Sequence, residues 1–133
     1  AGIFDGCLFN NCTFSDCSFD ACFFTASKFI ECQFAKSTLS GAKFSKASFY
    51  SVNFVECDIE DSMFFDNVMH AVGIYGCELD GASFLSGSFH RMDVETSSFK
   101  RSSLCGLVVS STRFINSNFK SALFQNNLSF LYR

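Results

Sequence analysis

The sequence predicts an all-β coil that turns a corner about every five residues, always in the same sense. Three observations lead to this prediction. From Phe4 to Phe124 every fifth residue is apolar, at twenty-five successive positions, and seventeen of these residues are Phe. The residue two places before each of them is mostly small, and the chain contains no proline. The other three places in each unit carry nearly all the charge.

A repeat of five residues fits neither a helix nor a flat strand. An α-helix turns roughly 100° per residue, so a step of five drifts by roughly 140° and spreads the Phe side chains around the cylinder. A strand has a period of two, so successive Phe side chains would point to opposite faces of a sheet. A chain that turns a corner in every unit keeps them all inside. The lack of proline agrees, because proline removes a donor from a strand ladder.

Within each unit we call the central apolar residue i. Residues two apart on an extended backbone share a face, so the small residue at i−2 and the large residue at i both point inward. Asn67 is the most unusual residue at i−2. We expect its amide to hydrogen-bond to the backbone of neighbouring coils. We expect the core to contain Phe9, Phe14, Phe19, Phe34, Phe54, Phe64, Phe84 and Phe119.

The opening units show the motif clearly, since residues 7–21 read CLFNN, CTFSD and CSFDA. This pattern, a small residue, a polar residue, Phe or Leu, and then polar and small residues without gaps, resembles the pentapeptide-repeat proteins. The resemblance covers residues 1 to about 126. It implies a right-handed quadrilateral β-helix, with twenty residues per coil and about six and a half coils in this chain.

One domain accounts for the length of the chain. We assign residues 1–126 to the β-helix and residues 127–133 to a C-terminal cap or tail, because the pattern stops at Ser129. Phe130, Leu131 and Tyr132 are expected to fold over the last coil, since terminal repeats need a cap. The first coil starts in register without a cap. Open ladder ends favour edge-to-edge association, so we expect a partner, self-association at the coil ends or a preceding segment there.

Seven of the eight cysteines occupy i−2, so the repeat explains their spacing. The favoured interpretation is that they are reduced and act as small buried hydrophobic residues. The alternative is a pair of disulfides, because Cys12 would lie over Cys32 and Cys57 over Cys77 at a separation that allows a bridge. No CxxC pair occurs, so a zinc site is not predicted.

Twenty residues per coil give the rod four faces, which we number 1 to 4 by their first central residues, Phe4, Phe9, Phe14 and Phe19. Face 4 carries a candidate acidic patch of Asp58, Glu60, Glu78 and Asp80. Carboxylates about 5–7 Å apart repel one another unless a partner or counter-ion neutralises them. The patch is either a surface that binds a protein or attracts cations, or a solvated face that keeps the rod soluble.

Faces 1 and 2 adjoin and carry a candidate apolar interaction surface of Tyr50, Phe65, Leu85 and His90. Exposed apolar residues in a row indicate an interaction more strongly than scattered ones. The alternative is that stacked side chains simply stabilise the sheet. His70 and His90 lie one coil apart, but nothing nearby completes a set of metal ligands, so neither a metal nor a cofactor is predicted.

These features favour a non-enzymatic rigid scaffold that binds a protein partner through its outer faces. A rod offers no cleft for catalysis, and no catalytic arrangement of Ser, His and Asp is evident. The net charge of −3 disfavours direct binding of nucleic acid, and no run of eighteen apolar residues predicts a membrane span.

The family resemblance implies a bacterial cytoplasmic protein, with a fragment of a secreted effector as the alternative setting. It also supplies an alternative function, a DNA mimic that inhibits or protects DNA gyrase, as in the quinolone-resistance pentapeptide proteins. Two features count against the mimic. The C-terminal segment is too short for the helix through which some family members dimerise, and the C-terminal third of the chain is basic.

Overall fold

A computed structural model describes residues 2–130, and these residues form a right-handed, four-sided β-helix of about six turns. The predicted fold class is confirmed. Each strand pairs in parallel with the strand one coil away, twenty residues further along the chain, as Phe9 pairs with Phe29. Strands, bridges and turns make up the described residues, which include no helix able to cross a membrane.

The strands are short and follow the chain in order. They are β1 Leu8–Asn10, β2 Thr13–Ser15, β3 Phe23–Thr25, β4 Lys28–Ile30, β5 Gln33–Ala35, β6 Lys43–Ser45, β7 Ser48–Tyr50, β8 Asn53–Val55, β9 Met63–His70, β10 Gly73–Tyr75, β11 Ser83–His90, β12 Asp93–Glu95, β13 Ser103–Ser110, β14 Arg113–Ile115, β15 Leu123–Gln125 and β16 Leu128–Phe130.

The four faces differ in how regular their ladders are. Face 3 is a sheet of β2, β5, β8, β10, β12 and β14, whereas faces 1 and 2 share one larger sheet. Face 4 has only single-residue bridges, which run from Ser18 through Asp58 and Glu78 to Asn118. In the fourth to sixth coils, β9, β11 and β13 continue through the corner between faces 1 and 2, although Asp66, Ser86 and Gly106 keep the left-handed backbone of the other corners.

Stacked phenylalanine rings fill the interior. On face 1 the rings of Phe24, Phe44, Phe64 and Phe84 lie 4.7, 4.9 and 4.5 Å apart between successive centroids, and their planes are within 6° of parallel. All four side chains are buried. Phe34 and Phe54 are buried too, whereas Phe9, Phe14, Phe19 and Phe119 are only partly buried. The last four lie in coils near the ends of the rod, where fewer neighbouring coils cover them.

Every corner depends on one residue with a left-handed backbone. All twenty-five residues at i+2, from Gly6 to Asn126, have a φ between 50° and 74°. Only five of them are glycine. An L-residue other than glycine loses roughly 1–2 kcal/mol in this conformation, so the other twenty corners are strained to some degree. Thr96, with a φ of 53°, is the β-branched residue among them.

The residue at i−2 provides a hydrogen-bond acceptor as well as small size. The backbone N–H at i−2 donates to the side chain at i−2 in the next coil, as Cys17 N does to Ser37 Oγ at 3.1 Å and Cys77 N to Ser97 Oγ at 3.1 Å. The expectation for Asn67 is confirmed. Its Oδ1 accepts from Ala47 N at 2.8 Å, and its Nδ2 donates to the carbonyl of Phe44 at 3.2 Å.

Gly87 directly follows the corner that strand β11 crosses. It stands at i−2 directly above Asn67, with a φ of 120°, and has no side chain to accept the Asn67 N–H. A Cβ at this position would collide with the backbone carbonyl of Asn67. The two backbones therefore pair directly, and the strand crosses the corner without a break.

The coil continues past residue 126, where the sequence pattern ends. Strand β16 pairs with β13, and Ser129 takes the central position opposite Val109. The predicted cover over the last coil by Leu131 and Tyr132 lies outside the described residues.

Candidate interaction surfaces

The apolar interaction surface centres on strand β9. Phe65 is 43% exposed and Tyr50 is 37% exposed, whereas Leu85 and His90 are half-buried. Phe65 pairs with Leu85 in the ladder between β9 and β11. Tyr50 stands two coils from His90 in a separate ladder on face 2, with His70 between them.

Two further residues of β9 extend this surface. Val68, which lies between the two ladders, is 38% exposed, and Met63 is 42% exposed beside the central residue of face 1. Val68 was missed by the sequence analysis. The sequence does contain a pattern that indicates it. Val68 occupies i−1 on face 2, and the apolar residues at the same position in other coils, Leu8, Val108 and Leu128, are also exposed. Exposed apolar residues of faces 1 and 2 therefore lie together on one strand, β9, on either side of the exposed corner residue Asp66.

The aromatic ladder on face 2 holds its side chains against one another. The ring centroids of Tyr50 and His70 are 6.1 Å apart, and those of His70 and His90 are 4.9 Å apart. His90 Nδ1 is 2.5 Å from Ser110 Oγ. Between residues 2 and 130, no three His, Cys, Asp or Glu side chains form a group able to hold a metal ion. The two histidines therefore extend the stacked side chains of the ladder.

The acidic patch occupies the middle of face 4, where Asp58 pairs with Glu78 in the bridge ladder. Partial burial raises the pKa of Glu60, and the nearby charges of Asp58, Asp80 and Glu78 raise it further. The four carboxylates thus influence one another. Within the described part of the chain, none of them forms an ion pair with Lys or Arg.

Two of these carboxylates also bond to the backbone, and one of them links two coils. Asp58 Oδ1 accepts the backbone N–H of Glu60, two residues further on in the same coil, at 3.1 Å. Asp80 Oδ1 accepts from Ser98 Oγ at 2.5 Å and from Lys100 N at 3.0 Å, one coil away. The short aspartates therefore have a structural role in addition to their charge.

The next coils of face 4 are basic. Lys100, Arg101, Lys120 and Ser121 line a shallow concavity of about 270 Å³. Among the described residues, none of these three cations pairs with a carboxylate. Face 4 therefore changes sign along the rod, from acidic in its middle coils to basic towards its C-terminal end.

A separate polar cluster lies on face 3 and was not predicted. Arg113 approaches the carboxylates of Asp93 at 3.1 Å and Glu95 at 3.6 Å, and the Tyr75 hydroxyl donates to Asp93 at 3.3 Å. Burial and the charge of Asp93 raise the pKa of Tyr75. The ring of Tyr75 folds over Gly73, where a Cβ would lie 2.6 Å from the phenol oxygen. This cluster forms within the chain and needs no partner.

All eight cysteines are free thiols, and the seven at i−2 face the interior, whereas Cys105 lies at an outward i+1 position. Cys57 Sγ donates to the carbonyl of Phe34 at 3.3 Å, and Cys77 Sγ donates to that of Phe54 at 3.3 Å. The adjacent Cys57 thiol and burial raise the pKa of Cys77 far above its ordinary value, so this thiol stays protonated. These side chains therefore act as small hydrogen-bonding core residues.

The sequence matches the family described as the pentapeptide repeat region over residues 3–84, more than half of the chain. The chain belongs to the pentapeptide-repeat family. No curated protein is similar enough in sequence to count as a relative. The pentapeptide-repeat protein Rfr23 from the cyanobacterium Cyanothece 51142 shares its fold, with a TM-score of 0.58 and 13% identity, over 96% of this chain and 91% of Rfr23.

Full-length QnrB1, a plasmid-mediated fluoroquinolone resistance protein, is also similar in fold. It matches with a TM-score of 0.52 and 17% identity, over 99% of this pentapeptide-repeat chain and 93% of QnrB1. Both similarities concern the coil itself. At 13% and 17% identity most outer side chains of this chain differ from those of Rfr23 and QnrB1. The similarities therefore concern the fold and not the outer surfaces.

Proposed function

We propose that this pentapeptide-repeat chain is a non-enzymatic scaffold that binds a protein partner through the apolar surface of faces 1 and 2. The observation behind the proposal is the strand β9, on which Met63, Phe65 and Val68 are all exposed. Contiguous exposed apolar residues are characteristic of interaction sites.

The rigidity of the surface favours this role. Its side chains stand on a sheet that is paired on both sides, since β9 pairs with β7, β6 and β11. A preorganised surface loses little conformational entropy on binding, and aromatic residues are enriched among those that contribute most to affinity. Phe65 and Tyr50 are thus the expected anchors, with Leu85 and His90 at their flanks.

The test is quantitative capture of proteins from the lysate of the source cells. The surface variant carries Phe65→Ser and Tyr50→Ser, and the matched control carries Val108→Ser, which removes an exposed apolar side chain two coils from Val68. We expect a partner that wild type and control retain and that the surface variant loses at least tenfold. Circular dichroism checks that all three fold. A set of captured proteins that is identical for all three contradicts the proposal.

A second candidate is a DNA mimic that acts on DNA gyrase in a bacterial cytoplasm. The observation that favours it is the acidic patch of four carboxylates on face 4, where burial and then the charges of Asp58, Asp80 and Glu78 raise the pKa of Glu60. A gyrase supercoiling assay tests it, with a Glu60→Gln, Glu78→Gln variant as the control. Inhibition or protection by wild type but not by the variant supports this candidate, and no effect at micromolar concentration excludes it.

A further inference from the structure

One ladder of face 4 carries charges of opposite sign in its two halves. The residues at i+1 in four successive coils are Glu60, Asp80, Lys100 and Lys120. Neighbouring coils are about 4.8 Å apart, so these charges span about 14 Å along the rod. Two negative charges are therefore followed by two positive ones on a single surface.

Such an order is complementary to itself when it is reversed. A twofold axis that lies in the interface, parallel to the strands and midway between Asp80 and Lys100, turns the second rod antiparallel to the first. It places Asp80 opposite Lys100 of the second copy and Glu60 opposite Lys120 of the second copy. Each pair occurs twice, because a twofold interface uses the same surface on both subunits. We propose that two copies of this chain form an antiparallel dimer, face 4 against face 4.

The second ladder of face 4 agrees with the same axis. Its residues at i−1 are Asp58, Glu78, Ser98 and Asn118. In the reversed order Glu78 faces Ser98, whose hydroxyl already donates to Asp80, and Asp58 faces the amide of Asn118. Neither carboxylate therefore meets a like charge. An axis parallel to the rod would instead place each i+1 residue opposite the i−1 residue of the same coil. Glu60 would then face Asp58 and Asp80 would face Glu78. Carboxylates would meet carboxylates in both acidic coils, and this disfavours the parallel arrangement.

The concavity at the basic end supplies a place for the incoming carboxylate. Lys100, Arg101 and Lys120 surround a space of about 270 Å³, and none of them pairs with a carboxylate in the described part of its own chain. Glu60 is one of four carboxylates that likewise form no ion pair within the described residues. Dimerisation would bring these two unpaired groups together.

The shape of face 4 permits close approach. Its central residues Ile59, Leu79 and Phe99 are buried, and no large hydrophobic side chain of this face is exposed between Asp58 and Lys120. Face 4 lies opposite face 2 around the coil. It meets face 1 only at a corner, so the dimer does not use the side chains of the apolar surface, and the inference does not depend on the proposed function.

The test measures molecular mass by sedimentation equilibrium from about 1 to about 500 μM protein, in about 50 mM and about 500 mM salt. We expect a rise with concentration from 14.8 kDa towards twice that mass in low salt. The dissociation constant should increase at least tenfold in high salt, because salt screens exposed charge pairs. A single-copy mass at every concentration in low salt overturns the proposal and leaves face 4 to a different kind of partner.

Reciprocal charge changes identify the interface. Glu60→Lys alone and Lys120→Glu alone should each weaken the dimer at least tenfold, because each creates two like-charge contacts. An equimolar mixture of these two variants should form a heterodimer, and the variant with both changes should recover the homodimer. Lys28→Glu, on the opposite face 2, is the charge-matched control and should have no effect. A dimer that neither single change weakens, or that the double change fails to recover, overturns the proposal.

Discussion

At the scale of single residues, the corners hold most of the strain in the rod. Thr96 is the clearest case, because a branched Cβ is poorly accommodated in the left-handed region and its side chain is exposed. Asparagine tolerates this region better. We expect Thr96→Asn to raise the free energy of unfolding by about 1 kcal/mol, as measured by guanidinium denaturation.

Thr13 is the matched control for this change, since it is also exposed but lies in strand β2 with an extended backbone. Thr13→Asn should leave stability unchanged or lower it slightly, because asparagine is less favourable than threonine in strands. If Thr96→Asn lowers stability by as much as the control does, the corner at Thr96 is not strained.

At the scale of the structural element, the contacts between coils depend on the side chains at i−2. Asn67 is 4% exposed and satisfies both Ala47 N–H and the Phe44 carbonyl. Asn67→Ala leaves these two buried groups without partners. Since each unsatisfied buried group costs about 1–3 kcal/mol, we expect a loss of about 2–6 kcal/mol in the free energy of unfolding.

Asn127 makes the same two bonds, with Leu107 N–H at 2.9 Å and the Leu104 carbonyl at 2.7 Å, but it is only half-buried. Asn127→Ala should therefore cost less than Asn67→Ala. Hydrogen exchange at the amide of Ala47 gives a local measurement, and it should accelerate in the Asn67 variant only. Equal losses for the two variants would mean that burial does not determine the cost.

The sequence was sufficient to predict the coil, because a period of five is compatible with no other regular structure. It also placed Asn67 correctly, since one amide side chain offers the donor and the acceptor that two backbone groups need. It did not reveal that β9, β11 and β13 cross a corner without a break. That feature depends on the direct contact between Gly87 and Asn67, and the repeat itself contains no signal for such a contact.

The surfaces were less predictable than the core. Residue numbers alone place Phe65 next to Leu85 and Glu60 next to Asp80, because the ladder has a step of twenty. The extent to which an outward side chain lies flat or stands away from the sheet depends on its rotamer and its neighbours. For this reason the half-buried state of Leu85, the fold of Tyr75 over Gly73 and the concavity beside Lys100 emerged only from the structure.

At the scale of the whole molecule, the acidic patch makes stability depend on pH. The pKa of Glu60 is raised in the folded state, first by burial and then by Asp58. The folded protein therefore binds this proton more tightly than the unfolded chain does. The resulting destabilisation is fully present above the folded pKa and disappears as the pH falls through that value and then through the unfolded one.

We therefore expect Glu60→Gln to be more stable than wild type at pH 7, with a difference that shrinks as the pH falls towards about 4. Thermal melts at about 1 μM protein and several pH values measure this difference. Glu31→Gln, at an exposed corner away from face 4, is the control and should show a smaller dependence. A difference that grows at low pH would contradict the direction of the pKa shift.

The step of twenty residues between paired positions also governs what an insertion or a deletion would do. Removal of one five-residue unit would leave an unbroken series of inward apolar residues, so the interior could close up again. Every later side chain would nevertheless rotate by a quarter turn, and Lys100 and Lys120 would leave the face that carries Glu60 and Asp80. Only a change of four units at once would preserve both the interior and the alignment of the surfaces. The interior thus accepts insertions or deletions of any multiple of five residues, whereas the alignment of the outer side chains accepts only multiples of twenty.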